Sequence, residues 1–224
     1  MIYIAADTHS EIDMDKVINY FDDEMTYENL TKDDYLIILG DVSFDYNPWL
    51  IRTLQSLPVT VLFIDGNHDN IDLLNEYDEE MWCGGKVHFI EEDIIHLMRG
   101  QVYEIEGNTF FSFGGGMSID KDMRREGYNW WSDEMPSEEE YEEGIINLEQ
   151  HNYTVDYVLT HSGPLEIVEE IVGIYYPGEE RLQEYLQDIK VQLDYKEWYF
   201  GHFHEDYEGD GCRCIYQDII KIDN

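Results

Sequence analysis

The sequence predicts an α/β protein built on parallel strands, and three observations predict it. Short apolar runs of strand length recur, rich in β-branched and aromatic residues. Helical patterns separate the first three of them. Each run breaks off at a cluster of Gly, Asp, Asn or His. Strand–helix–strand alternation implies parallel pairing, and that topology gathers active residues beyond the carboxyl ends of the strands.

Taken in order, Ile2–Ala6 is the first strand and runs into Asp7-Thr8-His9. Asp13–Met25 follows as a helix, with Met14, Val17, Ile18 and Phe21 on one face. Tyr35–Leu39 ends at Gly40-Asp41, and Pro48–Leu57 opens a helix with proline in the first turn, where its missing N–H costs nothing. Val59–Ile64 runs into Asp65-Gly66-Asn67-His68-Asp69. The middle reads differently: Lys86–Ile90, Ile94–Met98, Val102–Ile105 and Thr109–Phe113 form a meander pattern, with Arg99-Gly100 and Gly107-Asn108 as hairpin turns. A Gly114-Gly115-Gly116 break leads into an irregular stretch through Trp130-Trp131. Ser137–Glu140 fits a capping box that opens an acidic helix reaching Gln150. Val155–Leu159 ends at Thr160-His161-Ser162-Gly163-Pro164, helices cover Leu165–Val172 and Glu180–Ile189, and Trp198–Phe200 runs into Gly201-His202-Phe203-His204. Two closing strands are expected within Cys212–Ile222.

A chain of 224 residues is comfortable as one domain, and no repeat or long linker divides residues 1–224. At this size folding buries roughly 70–75% of the surface, so no staples are needed. Hydrophobic residues make up 43% and aromatics 14%, which excludes disorder despite 51 acidic against 13 basic residues. Cys83, Cys212 and Cys214 are too few for a disulfide framework. No apolar run approaches the ~18 residues of a membrane span. The first ten residues lack the basic start and apolar core of a signal peptide, so a cytoplasmic location is expected. The formal charge of −38 repels polyphosphate backbones and argues against nucleic acid as a partner.

The strand ends carry the chemistry. Five of the eight histidines, His9, His68, His161, His202 and His204, sit there beside Asp7, Asp41, Asn67 and Asp69. Mixed imidazole and carboxylate donors suit divalent first-row metals. Residues two apart in extended chain point the same way, so Asp7 with His9, and His202 with His204, reach into one site. Seven donors are too many for one ion and match a two-metal site sharing a bridging carboxylate.

These motifs resemble the calcineurin-like metallophosphoesterases, whose ordered signature is D-x-H, G-D, G-N-H-D, a lone histidine and G-H-x-H. The chain shows them in that order between residues 7 and 204, and it resembles small bacterial and phage members. Gly-Asn-His-Asp alone arises by chance in roughly one chain of this length in a thousand. The resemblance implies a four-layer α-β-β-α sandwich of two mixed β-sheets flanked by helices. It implies one metal held by Asp7, His9 and His204, a second by Asn67, His161 and His202, and Asp41 bridging them. His68 would face the substrate as general acid, oriented by a hydrogen bond to Asp69. The implied activity is hydrolysis of a small or nucleotide-like phosphoester, diester or monoester, by attack of a metal-bridging hydroxide, with Mn²⁺ the first choice over Fe or Zn²⁺.

The chain departs from the protein phosphatase branch after Gly40-Asp41, where Val42-Ser43-Phe44-Asp45-Tyr46 lacks the arginine of G-D-x-x-D-R-G. The substrate contacts are therefore expected from Arg124 and Arg125, in the Ser118–Arg125 segment, together with Asn67. A nuclease on the same site is disfavoured by the charge. A non-catalytic scaffold would have no need of His68. Covalent phosphoryl transfer lacks its D-x-D-x-T or Cys-x₅-Arg motif. His88, His96 and His151 match no motif and are expected to be ordinary core or surface residues; Trp130-Trp131 are expected to pack, while Glu138–Glu143 is expected to be a solvated helix face.

Overall fold

The computed structural model describes residues 1–22, 29–45, 47–173 and 178–222. Two mixed sheets face each other. The larger has seven strands in the order β13-β1-β2-β3-β6-β5-β4. Its parallel centre is β1 (Ile2–Ala5), β2 (Tyr35–Leu39), β3 (Thr60–Ile64) and β6 (Ile94–Leu97). Antiparallel margins are β13 (Ile220–Ile222) on one side and β5 (Gly85–Glu91) with β4 (Glu79–Trp82) on the other. The smaller sheet has six strands, β11-β12-β10-β9-β8-β7. Here β8 (Asn108–Phe113), β9 (Tyr157–Thr160), β10 (Glu197–Phe200) and β12 (Cys212–Cys214) run parallel. β7 (Gln101–Ile105) and β11 (Tyr207–Gly209) close its edges antiparallel.

Period-two alternation sorts the strand side chains into three cores. Ile2, Ile4, Ile37, Leu39, Leu62 and Ile64 point between the sheets and meet Tyr103, Phe110, Leu159 and Tyr199. The opposite face of the larger sheet, with Tyr3, Leu36, Ile38 and Phe63, packs Val17 and Phe21 of the Asp15–Asp22 helix and Leu50 and Leu54 of the Pro48–Ser56 helix. The outer face of the smaller sheet, with Phe111, Phe113, Val158 and Trp198, takes Leu148 of Glu138–Gln150, Ile167 of Leu165–Val172, and Leu182, Leu186 and Ile189 of Glu180–Gln192. A sixth, short helix covers Ile71–Leu74. The layers run helix, sheet, sheet, helix, as the resemblance implied. The expected first helix begins two residues later than Asp13, and its end at Met25 lies outside the described residues.

The meander is corrected. β5–β6 and β7–β8 are two hairpins in different sheets, and Arg99-Gly100 is the crossover between them rather than a hairpin turn. The cause is electrostatic and steric. Arg99 is buried, and its Nε and Nη2 donate to Asp65 Oδ2 at 2.9 and 2.7 Å, while Nη2 also reaches the Asp133 and Glu134 carbonyls. Gly100, at φ +73°, packs against Gly144 with no room for a Cβ. The acidic helix has the expected capping box and solvated face, with Glu138, Glu139 and Glu142 exposed; Glu140 pairs with Arg99, Glu143 with Lys86 and Glu138 with Arg181.

His88 and His96 pack as expected, stacked with Nδ1 atoms 3.1 Å apart, and His96 Nε2 lies 3.3 Å from Asp65. Burial, then the neighbouring His96, pushes His88 down to about 4, against a smaller upward pull from Asp65. An unfolded chain takes up a proton on this ring below its ordinary value of about 6.5, which the folded chain refuses until about 4. Stability therefore falls as pH drops through that window. The urea midpoint of metal-free protein is expected to fall more between pH 7 and 4.5 than that of His88→Gln. Parallel titrations of the two proteins would remove the idea.

Candidate metal centre

The site lies where the parallel strands of both sheets end. Asp7 and His9 follow β1, Asp41 follows β2, Asn67 and His68 follow β3, His161 follows β9, and His202 and His204 follow β10. The sheet ladders continue into these loops: Asp7 N–H donates to the Gly40 carbonyl, His9 N–H to that of Asp41, and Gly201 N–H to that of His161. Asp7, His9, Asp41, His202 and His204 all have φ between +42° and +72°. Non-glycine residues rarely adopt this left-handed region, and such strain concentrates at functional sites. Two glycines make room. A Cβ at Gly40 would strike the His161 ring, and one at Gly66 would strike the Asp41 carboxylate.

Three sets of ligand atoms lie within 4.8 Å of one another: Asp7, His9 and His204; His9, Asp41 and His68; Asp41, His161 and His202. Asp41 joins them. Its Oδ2 is 3.3 Å from His9 Nε2, and its Oδ1 is 3.4 Å from His161 Nε2 and accepts the His68 N–H at 2.8 Å. Asn67 Oδ1 is 3.1 Å from His161 Nε2. Asp7 is fully buried, and both of its oxygens accept the His202 N–H. Burial and the adjacent Asp41 push Asp7 up to about 7. Burial would raise Asp41 as well, yet His161, His9 and His68 hold it far below the usual carboxylate range. Two buried carboxylates repelling each other among imidazoles form a donor set that divalent cations fit: cations relieve the repulsion and take up the lone pairs.

The second nitrogen of three of these imidazoles is also held, which fixes ring orientation in metal sites. His9 Nδ1 lies 2.9 Å from Asp13, His161 Nδ1 lies 2.8 Å from the Leu39 carbonyl, and His202 Nε2 lies 3.3 Å from Glu179. His204 instead stacks on Tyr216, centroids 4.5 Å apart and planes 4° off parallel. Asp13, Glu179 and Tyr216 carried no sequence signal as site residues. Burial lowers His202, but Glu179, Asp41 and Asp7 together raise it to about 9.

His68 is about a third exposed, with Nε2 3.9 Å from Asp41 Oδ2. Arg124 Nη1 lies 3.1 Å from its Nδ1 and Nη2 lies 3.3 Å from its Nε2. Burial lowers the His68 pKa, with Arg124 and the neighbouring imidazoles acting in the same direction against Asp41. The hydrogen bond expected between His68 and Asp69 is not made. Asp69 is buried with Oδ1 accepting the Phe44 N–H and Oδ2 the Gly66 N–H, both at 2.7 Å, so it braces the two loops instead. Arg125 is exposed and contributes its backbone N–H to Asn129; only Arg124 of the pair lines the cavity. Trp131 is buried, and neither Trp130 nor Trp131 lines that cavity.

A two-sheet sandwich with paired Asp and His clusters at facing strand ends defines a metallohydrolase-type centre. The calcineurin-like phosphoesterase family profile matches residues 1–206, and the chain belongs to that family. No curated protein matches it. Among solved structures it is similar to the phosphopantetheinyl hydrolase of Mycobacterium tuberculosis, at 16% identity and TM-score 0.48 over 96% of this chain and 87% of that one. It is also similar to the protein of unknown function AQ665 from Aquifex aeolicus, at 19% identity and TM-score 0.34 over 72% and 80% of the two chains. No helix among the described residues is long and apolar enough to cross a membrane.

Proposed function

We propose that residues 1–224 form one dinuclear metal-dependent phosphohydrolase domain that cleaves a small or nucleotide-like phosphoester, in the cytoplasm and with Mn²⁺ as the preferred ion. The observation that carries the reading is Asp41, which offers one oxygen to the His9 side and the other to the His161 side, at 3.3 and 3.4 Å. Asp7, His9 and His204 would hold one ion, Asn67, His161 and His202 the other, with Asp41 shared. When bound, such a pair acidifies water and draws charge off phosphate oxygens.

The chain's own groups do the rest. Arg124 sits against His68 and clamps a phosphate oxygen beside it. Burial and the Arg124 charge lower the His68 pKa, and a phosphate anion beside the ring acts in the opposite direction, favouring the protonated form. His68 then gives the Nε2 proton to the departing ester oxygen, a contribution of about 10²–10⁴-fold. Asp69 supports His68 through the Gly66 backbone rather than through the ring.

Hydrolysis of bis-p-nitrophenyl phosphate and p-nitrophenyl phosphate, with Mn²⁺ or EDTA, tests this. Turnover is expected to require metal and to fall at least tenfold in His68→Ala, with the metal content unchanged. Turnover indifferent to EDTA and to the loss of His68 would sink the mechanism.

A further inference from the structure

The cavity in front of His68 and Asn67 holds about 390 Å³. Its floor is the metal centre; its other walls come from Met117, Ser118, Ile119, Asp120, Arg124, Val172 and Phe203. Charge is scarce on those walls. All 13 Lys and Arg of the chain lie in described residues, and Arg124 alone among them lines the cavity. Its charge is already matched, since Nε lies 2.6 Å from Asp120 Oδ1. Lys121 and Arg125, on the same segment, are exposed and do not line it. Lys16 is spent on the Asp7 and Tyr216 carbonyls.

Apolar surface is plentiful by contrast. Met117, Ile119, Val172 and Phe203 all line the cavity, and Ile119 is 68% exposed at its lip. An isoleucine that both lines the cavity and stays exposed is available to whatever enters. The charge of a metal centre attracts a dianion more than a monoanion, so a preference for diesters has to come from the walls. The walls do discriminate. A phosphomonoester is close to a dianion at neutral pH, with its second pKa near ~6. A diester carries one charge and a second organic substituent. A half-neutralised guanidinium on a chain of net charge −38 suits the single charge, and the apolar wall suits the substituent.

We propose that the cavity selects phosphodiesters bearing an apolar or aromatic second substituent, with Asp120 and Ile119 as the selecting residues. This rests on the phosphohydrolase reading and narrows its substrate. Asp120 sets the charge available on Arg124, and Ile119 provides the surface on which the second substituent lies.

Steady-state kinetics on the Mn²⁺-loaded protein separate the two levels. The kcat/KM of bis-p-nitrophenyl phosphate is expected to exceed that of p-nitrophenyl phosphate at least tenfold. Asp120→Asn, which frees the guanidinium charge, is expected to shift that ratio at least threefold toward the monoester. Ile119→Ser is expected to raise KM for the bis-aryl diester at least threefold and to leave methyl p-nitrophenyl phosphate unchanged. Calorimetric binding in the slow His68→Ala background is expected to rank diphenyl phosphate above phenyl phosphate. Metal-dependent turnover that favours the monoester, or a ratio insensitive to Asp120→Asn, overturns the selectivity and leaves the hydrolase standing. Metal-loaded protein that turns over neither ester overturns both.

Discussion

Asp41→Ala is expected to release bound divalent metal and to lower kcat/KM at least about a thousandfold, roughly 4 kcal/mol of transition-state stabilisation. The size follows from three contacts made by one carboxylate. Oδ2 faces His9 Nε2, Oδ1 faces His161 Nε2, and Oδ1 also accepts the His68 N–H at 2.8 Å. Alanine thus removes the link between two ligand sets and frees the loop that carries the proposed proton donor. Asp41→Asn separates these effects. An amide keeps an oxygen for the His68 N–H but loses the charge, so metal affinity should fall while the His68 loop stays in place. Equilibrium dialysis followed by metal analysis reads the stoichiometry, and near-ultraviolet circular dichroism reads the fold. Two ions retained by a folded Asp41→Ala chain would remove the shared-carboxylate reading. Burial, the larger cause of the raised Asp7 pKa, remains in the metal-free variant, but the repulsion from Asp41 is relieved, so its unfolding midpoint at neutral pH is not expected to drop in proportion to the activity.

The parts legible in the sequence are those whose signal is local. The parallel strands other than the Cys-Arg-Cys of β12 show as β-rich apolar runs, and each metal-site residue lies within four positions of a strand end. The capping box of Ser137 and Glu140 is likewise complete within four residues. What escaped depends on partners far along the chain. The split of the meander rests on Arg99 meeting Asp65, 34 residues earlier, and no turn chemistry at Arg99-Gly100 encodes that. β4 was missed because Glu79, Glu80 and Met81 are exposed edge residues with no apolar alternation to read. β11, three residues long, offers too short a period. The supports of the imidazoles escaped for the same reason. Asp13 sits four residues from His9 in an acidic stretch, and only the tight turn after β1 brings the two together. Asp69 was assigned the wrong partner because adjacency to His68 in sequence suggested contact, whereas the turn aims its carboxylate at the Phe44 and Gly66 N–H groups.

Glu179 is the least legible of these supports, one glutamate among 51 acidic residues, and carries the second large expected effect. It is fully buried, and four groups converge on it: the Met117 N–H at 2.8 Å, Ser162 Oγ at 3.0 Å, Gln183 Nε2 at 2.8 Å and His202 Nε2 at 3.3 Å. Burial alone would raise its pKa, but His202 and these hydrogen bonds lower it, so it stays ionised. An ionised Glu179 keeps a proton on His202 Nε2, so Nδ1 is the nitrogen that would give up its proton to bind a metal ion. Its hold on Ser162 ties the loop of His161 to that of His202, the two imidazoles assigned to the same ion. Removing such a support typically costs 10–100-fold in metal affinity. Glu179→Gln is therefore expected to weaken binding of one ion by about that factor while the ion at Asp7, His9 and His204 is retained, seen as two separated phases in a Mn²⁺ titration. Excess Mn²⁺ should restore most of kcat, because Glu179 positions a ligand and touches no substrate. A residue that merely stabilised the fold would lower the unfolding midpoint and leave both phases together, and that outcome would return Glu179 to the packing of the Glu180–Gln192 helix.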